Sequence, residues 1–219
     1  MLDKLKGVKA IIFDADGVLI RTNYYHLLSL EHVFRQQGVK VPRKEIEHLF
    51  GEPAREIIRE LLLKKHISDF DLREMIREKT RFFRKEVKGK NLLFRATPFV
   101  LSELRKKFKL ALVTGAGRNV LNLTFPKKEQ KKFQVVLTAT DYKKGKPNPE
   151  PLLLAAKMLG VKPRDCVYVG DSVIDIVAAK NARMRVIAVP SGIYSEKELL
   201  KARPTKLIKN LRSILKLLN

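Results

Sequence analysis

Residues 8–17 read Val-Lys-Ala-Ile-Ile-Phe-Asp-Ala-Asp-Gly. Val8 to Phe13 is short, largely apolar and rich in β-branched side chains, which predicts a buried strand. Asp14-Ala15-Asp16-Gly17 ends that strand in a turn. Two carboxylates, Asp14 and Asp16, are thereby delivered to its carboxyl end.

Outward from this strand the chain changes character twice. From about Thr22 to Val87 the pattern is helical, interrupted at Gly38, Pro42 and Gly51-Glu52-Pro53. Ile57, Ile58, Leu61 and Leu62 share one apolar face, as do Leu72, Met75, Ile76, Phe83 and Val87. From about Pro98 strands alternate with helices. Strands are expected at Leu110 to Val113, Val135 to Leu137, Cys166 to Val169, Arg185 to Val189 and Thr205 to Ile208. One helix is expected to start at Asn148-Pro149, with Asn148 as its cap, and to stop at Gly160. Another covers Ser172 to Asn181. A terminal helix carries Leu211, Ile214, Leu215 and Leu218 on one face, as expected of a helix covering one edge of the sheet; a basic membrane-surface helix is the alternative. Alternation of this kind implies an α/β fold, a Rossmann-like parallel sheet with helices on both faces. The all-helical stretch then reads as an insertion after the first strand.

Ligands of an open parallel sheet bind beyond the carboxyl ends of its strands. Four polar features fall there: Asp14 with Asp16, Thr114 with Gly115, Lys146 in Lys144-Gly145-Lys146-Pro147, and Asp171 with Asp175. Clustered carboxylates repel one another, so several at one site imply a hard cation such as Mg²⁺. A lysine among them would neutralise both carboxylate and bound phosphate. A threonine hydroxyl and the following backbone N–H can hold a phosphate oxygen. One carboxylate can act as a nucleophile and form an aspartyl-phosphate. Another, two residues on, can serve as general acid and base.

The set resembles the haloacid dehalogenase (HAD) superfamily, in the phosphoglycolate phosphatase and β-phosphoglucomutase-like branch with a helical cap. The residues that carry the resemblance are Phe13-Asp14-Ala15-Asp16-Gly17-Val18-Leu19, Val113-Thr114-Gly115, Gly145-Lys146-Pro147-Asn148-Pro149-Glu150 and Val169-Gly170-Asp171-Ser172 with Asp175. It spans essentially the whole chain and implies a catalytic core of residues 1–20 and 93–219 with a cap of residues 21–92. It further implies Asp14 as nucleophile and Asp16 as acid and base. Thr114, Gly115 and Lys146 would bind phosphate. Mg²⁺ would be held by Asp14, the Asp16 carbonyl and Asp171, with Asp175 in support. The presence of both Asp14 and Asp16 argues against a dehalogenase.

The cap stretch Gly51-Glu52-Pro53-Ala54-Arg55-Glu56 resembles the loop that reaches over the active site in related enzymes, which nominates Arg55 for the far end of the substrate. His26 falls near a position that mutases use for substrate contact. Two departures stand out. Arg21-Thr22 occupies the cap hinge where Asp-Ser or Asp-Thr is common, so Arg21 is expected to alter closure or to meet an anionic substrate. Arg183 replaces a customary glycine, so the turn after the last helix motif is expected to differ.

Composition sets the remaining bounds. The chain has 219 residues, 45% of them hydrophobic, enough for one substantial domain or a domain with an insertion. No apolar run is long enough to span a bilayer, and no signal peptide is expected. The single cysteine, Cys166, favours a reducing compartment, and a cytoplasmic location is expected. The formal charge of +23 attracts anions. Cysteine-phosphatase and P-loop patterns are absent: the sixth residue after Cys166 is Ser172, and no Gly-x4-Gly-Lys-Ser/Thr occurs. His26, His32, His48 and His66 lack metal-site spacing, and most are expected to be solvated.

The expected activity is a Mg²⁺-dependent phosphomonoester hydrolase acting on a small phosphorylated metabolite, phosphoglycolate-like or a sugar phosphate. The nearest alternative is β-phosphoglucomutase-like phosphoryl transfer. Gly170 before Asp171 favours hydrolysis, because mutases of this group tend to carry Glu there. An alternative of another class is a basic nucleic-acid-associated binding protein on this scaffold, against which the intact aspartate, threonine and lysine set speaks.

Overall fold

The computed structural model describes residues 5–218. Strand β1 (Ala10–Phe13) is buried at all four residues. It lies between β2 (Lys109–Val113) and β4 (Cys166–Gly170), with Phe13 level with Leu112 on one side and Val169 on the other. With β3 (Val135–Leu137), β5 (Arg185–Ala188) and β6 (Lys206–Leu207) the sheet has the order β3-β2-β1-β4-β5-β6, every pair parallel. Parallel strands covered on both faces need unbroken apolar runs rather than alternation, and β1 and β4 have them. All six strands run one way, so the residues after Phe13, Val113, Leu137 and Gly170 emerge along one edge.

Alternate strand residues serve two cores. Ala10, Ile12, Ala111, Val113 and Tyr168 face α8 (Glu150–Leu159), α9 (Val173–Asn181) and α10 (Glu196–Lys201). Ile11, Phe13, Leu110, Leu112 and Val167 face α5 (Thr97–Leu104), α6 (Arg118–Thr124) and α11 (Ile214–Leu218); α7 (Lys127–Gln130) lies between α6 and β3 in the chain. The apparent terminal helix is shorter than its apolar pattern suggests. A single 3₁₀ turn precedes α11, and Leu211 and Ile214 are buried on the α5 side of the sheet rather than at its edge or on a membrane-facing surface. Among the described residues no helix is long and apolar enough to cross a membrane.

Between β1 and α5 the chain makes α1 (Asn23–Gln36), α2 (Arg43–His48), α3 (Ala54–Lys64) and α4 (Leu72–Val87). It leaves at Ile20 and returns at Leu93, where these two residues bridge in antiparallel fashion. The Arg21 N–H donates to the Leu92 carbonyl at 2.7 Å, and the Phe94 N–H to the Leu19 carbonyl at 3.1 Å. The Arg21 side chain turns to the Asn91 carbonyl, so it ties the two crossing segments together and does not line the cavity described below. This corrects its expected contact with substrate.

Local signals hold with small offsets. Helix α8 starts at Glu150, with Pro149 rather than Asn148 in the cap position; the Asn148 side chain still accepts from the Glu150 N–H at 3.0 Å. Gly160 ends α8 at φ 65°. The turn after α9 survives the loss of glycine: Arg183 itself adopts φ 55°, and the Met184 N–H reaches back to the Ala179 carbonyl at 2.9 Å. The altered turn expected from Arg183 is therefore not found.

Candidate active site

Asp14 directly follows β1, and its N–H donates to the Val169 carbonyl at 2.9 Å, which fixes where its side chain emerges. Its carboxylate meets Lys146 Nζ at 3.0 Å. The same ammonium lies 2.6 Å from Asp175 Oδ1 and 3.0 Å from the Tyr168 hydroxyl. Burial alone would lower the Lys146 pKa, but the charges of Asp14 and Asp175 hold it well above its ordinary value. Lys146 is thus a fixed cation between two buried carboxylates.

Asp175 is shaped by its helix. Ser172 caps α9, its Oγ accepting from the Asp175 N–H, while Asp175 Oδ2 accepts from the Asp171 and Ser172 N–H groups and from Ser172 Oγ. This is a reciprocal capping box. Both oxygens of Asp175 are committed, so it orients Lys146 and leaves Asp14 and Asp171 facing open space. Gly170 is required by the same packing: a Cβ there would lie 2.4 Å from the Asp175 Cβ.

Asp171 Oδ2 accepts from Asn23 Nδ2 at 2.7 Å. Gly17 and Gly192 pack against that carboxylate so closely that a Cβ on either would come within 2.0 Å or 1.7 Å of Oδ2. Burial, with the charges of Asp175 and Asp14 added, pushes Asp171 well above the usual carboxylate range. Burial likewise raises Asp14 to about 8 against the pull of Lys146. Carboxylate oxygens of Asp14, Asp171 and Asp175 lie within 4.8 Å of one another. Two buried carboxylates that resist ionising side by side, with the buried Asn23 Oδ1 lacking a partner among the described residues, form an oxygen donor set that fits a hard divalent cation.

Asp16 belongs to a second group beside the first. Its Oδ1 accepts from the Thr22 hydroxyl and from His26 Nε2, the latter at 3.2 Å, and its Oδ2 accepts from Thr114 Oγ1 at 3.0 Å. Burial works to raise Asp16, but hydrogen bonds from His26, Thr22 and Thr114 outweigh it and hold the group well below the usual carboxylate range. Behind His26, Lys79 Nζ lies 2.9 Å from Nδ1. Burial and the neighbouring Lys79 both lower the His26 pKa, so the neutral ring accepts at Nδ1 and donates from Nε2. Its ring stacks on Phe83 with centroids 4.2 Å apart. Lys79 is buried, and burial lowers it to about 8.

A cavity of about 280 Å³ opens over both groups. Asp14, Asp16, Lys146, Asp171, Asn23 and Gly115 line its floor, and Leu30, Phe50, Ile57, Ile76 and Val120 supply apolar wall. The loop Gly51-Glu52-Pro53 forms a roof. A Cβ on Gly51 would meet Ser172 Oγ at 2.9 Å, and one on Gly145 would meet Pro53 at 3.0 Å. The Tyr194 hydroxyl donates to the His48 and Phe50 carbonyls, tying the segment before this roof to the loop between β5 and α10.

The nominated residues therefore converge, with different commitments. Asp14, Lys146, Asp171 and Asp175 form one cluster. Asp16 and Thr114 contact each other, and Thr114 Oγ1 also accepts from the Ala116 N–H at 3.0 Å. Arg55 lines the cavity as an exposed residue. Of the histidines, only His48 and His66 are exposed; His26 and His32 are stacked on Phe83 and Phe82 and bonded to Asp16 and Glu78, contrary to the solvated role expected of them. Lys79, Asn23 and Tyr168 join the site without belonging to any of the motifs. Lys79 had a signal, since it occupies the apolar stripe between Met75 and Phe83. A tyrosine inside a buried strand and an asparagine at a helix start carry none.

A family model for haloacid dehalogenase-like hydrolases matches residues 11–189. The phosphorylated carbohydrates phosphatase of Thermotoga maritima is 31% identical over 208 residues, covering 92% of this chain and 94% of that protein. A pyrophosphatase of Bacillus pumilus is 29% identical over 214 residues, covering 95% of each. The crystal structure of the β-phosphoglucomutase of Clostridium difficile superposes with a TM-score of 0.82 at 25% identity, covering 97% of both chains. The chain belongs to the haloacid dehalogenase-like hydrolases, and it is an enzyme of that family.

Proposed function

We propose that the enzyme is a Mg²⁺-dependent phosphatase of small phosphorylated metabolites that works through an aspartyl-phosphate on Asp14. The observation that carries this reading is the Asp14–Lys146–Asp175 chain beneath a cavity sized for a small molecule. In the first step Asp14 forms a bond to phosphorus as the ester bond breaks, and protonated Asp16 gives the leaving oxygen its proton. In the second, water attacks phosphorus, Asp16 takes its proton, and Asp14 is released with inorganic phosphate. Asp16, held ionised by three hydrogen bonds, is in the form this second step needs; the proton it takes there is the one it gives to the leaving oxygen in the next turnover, when bound substrate replaces part of that hydrogen-bond set. Lys146 offsets charge on the transferring group, the Gly115 N–H holds another of its oxygens, and the Thr114 hydroxyl joins it by exchanging its bond to Asp16 for one to phosphate. Asp14, Asp171 and the Asp16 carbonyl would hold Mg²⁺, which supplies positive charge against the phosphoryl oxygens. In this reading residues 21–92 act as a cap over a core of residues 1–20 and 93–219, with Arg55 meeting the far end of the substrate.

The second reading is a mutase, favoured by Lys79 and His26 as polar groups in the cavity wall and by the likeness to a β-phosphoglucomutase. Gly170 weighs against it, because Asp175 leaves no room for an acidic side chain there. The discriminating experiment is a screen of phosphorylated metabolites for inorganic phosphate release. Hydrolysis of several monoesters without any bisphosphate, abolished by chelation and restored by Mg²⁺, is expected. Negligible release, with interconversion of hexose 1- and 6-phosphates once a bisphosphate is added, would establish the mutase instead.

A further inference from the structure

The excess positive charge is not spread evenly over the molecule. Residues 93–140 contain ten Lys and Arg against two Asp and Glu, and residues 205–219 contain four against none. Residues 141–204 contain twelve against seven. The two acid-poor segments come together in the fold. Val100, Leu101 and Leu104 of α5, Leu121 of α6, Phe125, Phe133, Leu211 and Ile214 all pack on one side of the sheet. The two acids there are already paired, Glu103 with Lys106 at 2.6 Å and Glu129 with Lys132 at 2.7 Å.

Two long-range contacts stitch the surface into one. The Arg212 guanidinium lies over the exposed Phe99 ring at 5.5 Å, and Lys132 Nζ donates to the Pro98 carbonyl at 2.8 Å. Arg105 at the end of α5, Lys128 of α7, Lys131 directly after it and Lys209 shortly before Leu211 are exposed. From this juxtaposition we infer that the α5–α7–α11 face is a nucleic-acid-binding surface that tracks the phosphate backbone, separate from the cavity at the strand ends.

Two observations favour a nucleic acid over a lipid surface. Membrane-surface helices present a free apolar side beneath their charges, whereas Leu211 and Ile214 are turned into the core. The exposed Phe99 beneath Arg212 offers one flat ring among cations, as single-stranded nucleic acid sites do.

The test uses the full chain and a fluorescently labelled, mixed-sequence single-stranded DNA. Binding should weaken steeply with salt. The quadruple variant Arg105→Glu, Lys128→Glu, Lys131→Glu, Arg212→Glu should bind at least about tenfold more weakly, with the salt slope reduced by roughly three. A control with the same change in net charge on the other face, Lys157→Glu, Lys162→Glu, Lys197→Glu, Lys201→Glu, should bind within about twofold of wild type. Hydrolysis of p-nitrophenyl phosphate should be unchanged in both, which also reports folding. Independently of any variant, lysine acetylation of the wild-type complex read by mass spectrometry should find Lys128, Lys131 and Lys209 protected and Lys157 and Lys197 modified. Equal weakening in the two variants, uniform acetylation, or no binding at physiological salt would overturn the proposal. So would capture by anionic vesicles that depends on this face while DNA binding does not.

Discussion

Lys79 Nζ stands 2.9 Å from His26 Nδ1, inside the four-helix segment rather than on its surface. The imidazole passes that contact on to Asp16 and is stacked on Phe83. A buried ammonium with no carboxylate in direct contact among the described residues is an expensive way to hold a ring. Through His26 it bears on the orientation of Asp16, and it lines the cavity.

The cost has a pH signature. Lys79 titrates at about 8 in the fold against 10.5 when free, so the unfolded chain holds its proton more tightly. The penalty is therefore full below about pH 8 and vanishes as pH rises towards 10.5. Removing the charge in Lys79→Met, while orphaning His26 Nδ1, should stabilise the protein by roughly 1–2 kcal/mol at pH 7. The gain should be gone by pH 10. Urea unfolding at the two pH values measures both, and the same variant should lose turnover with a displaced acid limb in its pH profile. A gain equal at both pH values would show that packing, not charge, is responsible.

Arg55 is exposed and lines the cavity. Arg55→Ala should lower kcat/KM for the natural substrate by roughly 1–3 kcal/mol. p-Nitrophenyl phosphate, which lacks a charged far end, should be hydrolysed nearly as before. Equal losses on both would assign Arg55 to the fold.

Gly170 is fixed by Asp175 rather than by backbone freedom. Gly170→Ala places a methyl group 2.4 Å from the Asp175 Cβ. Asp175 must then move, loosening the α9 cap and Lys146 together. We expect a loss of roughly 1–3 kcal/mol in thermal or urea unfolding, accompanied by a fall in kcat. Unchanged stability and turnover would mean that Asp175 has slack to give.

The sheet was legible because strands buried on both faces leave unbroken apolar runs, and because Asp14, Thr114, Lys146 and Asp171 each follow such a run or its loop. Their convergence follows from six parallel strands ending along one edge. What stayed hidden depends on contacts across the chain. Tyr168 looks like any core residue until Lys146 and Asp175 close on its hydroxyl. Asn23 acquires a role only where the segment after β1 crosses Asp171. Lys79 was visible as an interruption of an apolar stripe, but nothing local says that His26, on α1, lies opposite. At Arg183 a customary glycine position is not a glycine requirement: the φ of 55° it needs is one that other residues can adopt at a cost.

The central claim is that Asp14 carries the phosphoryl group, and trapping tests it most directly. Enzyme turning over a phosphomonoester with Mg²⁺ is quenched in acid and reduced with borohydride, which converts an aspartyl-phosphate to homoserine. Peptide mass spectrometry should then find homoserine at position 14 and nowhere else, and Asp14→Asn should give none and no turnover. Undiminished phosphate release with residue 14 unmodified, or modification of another carboxylate, would contradict the account.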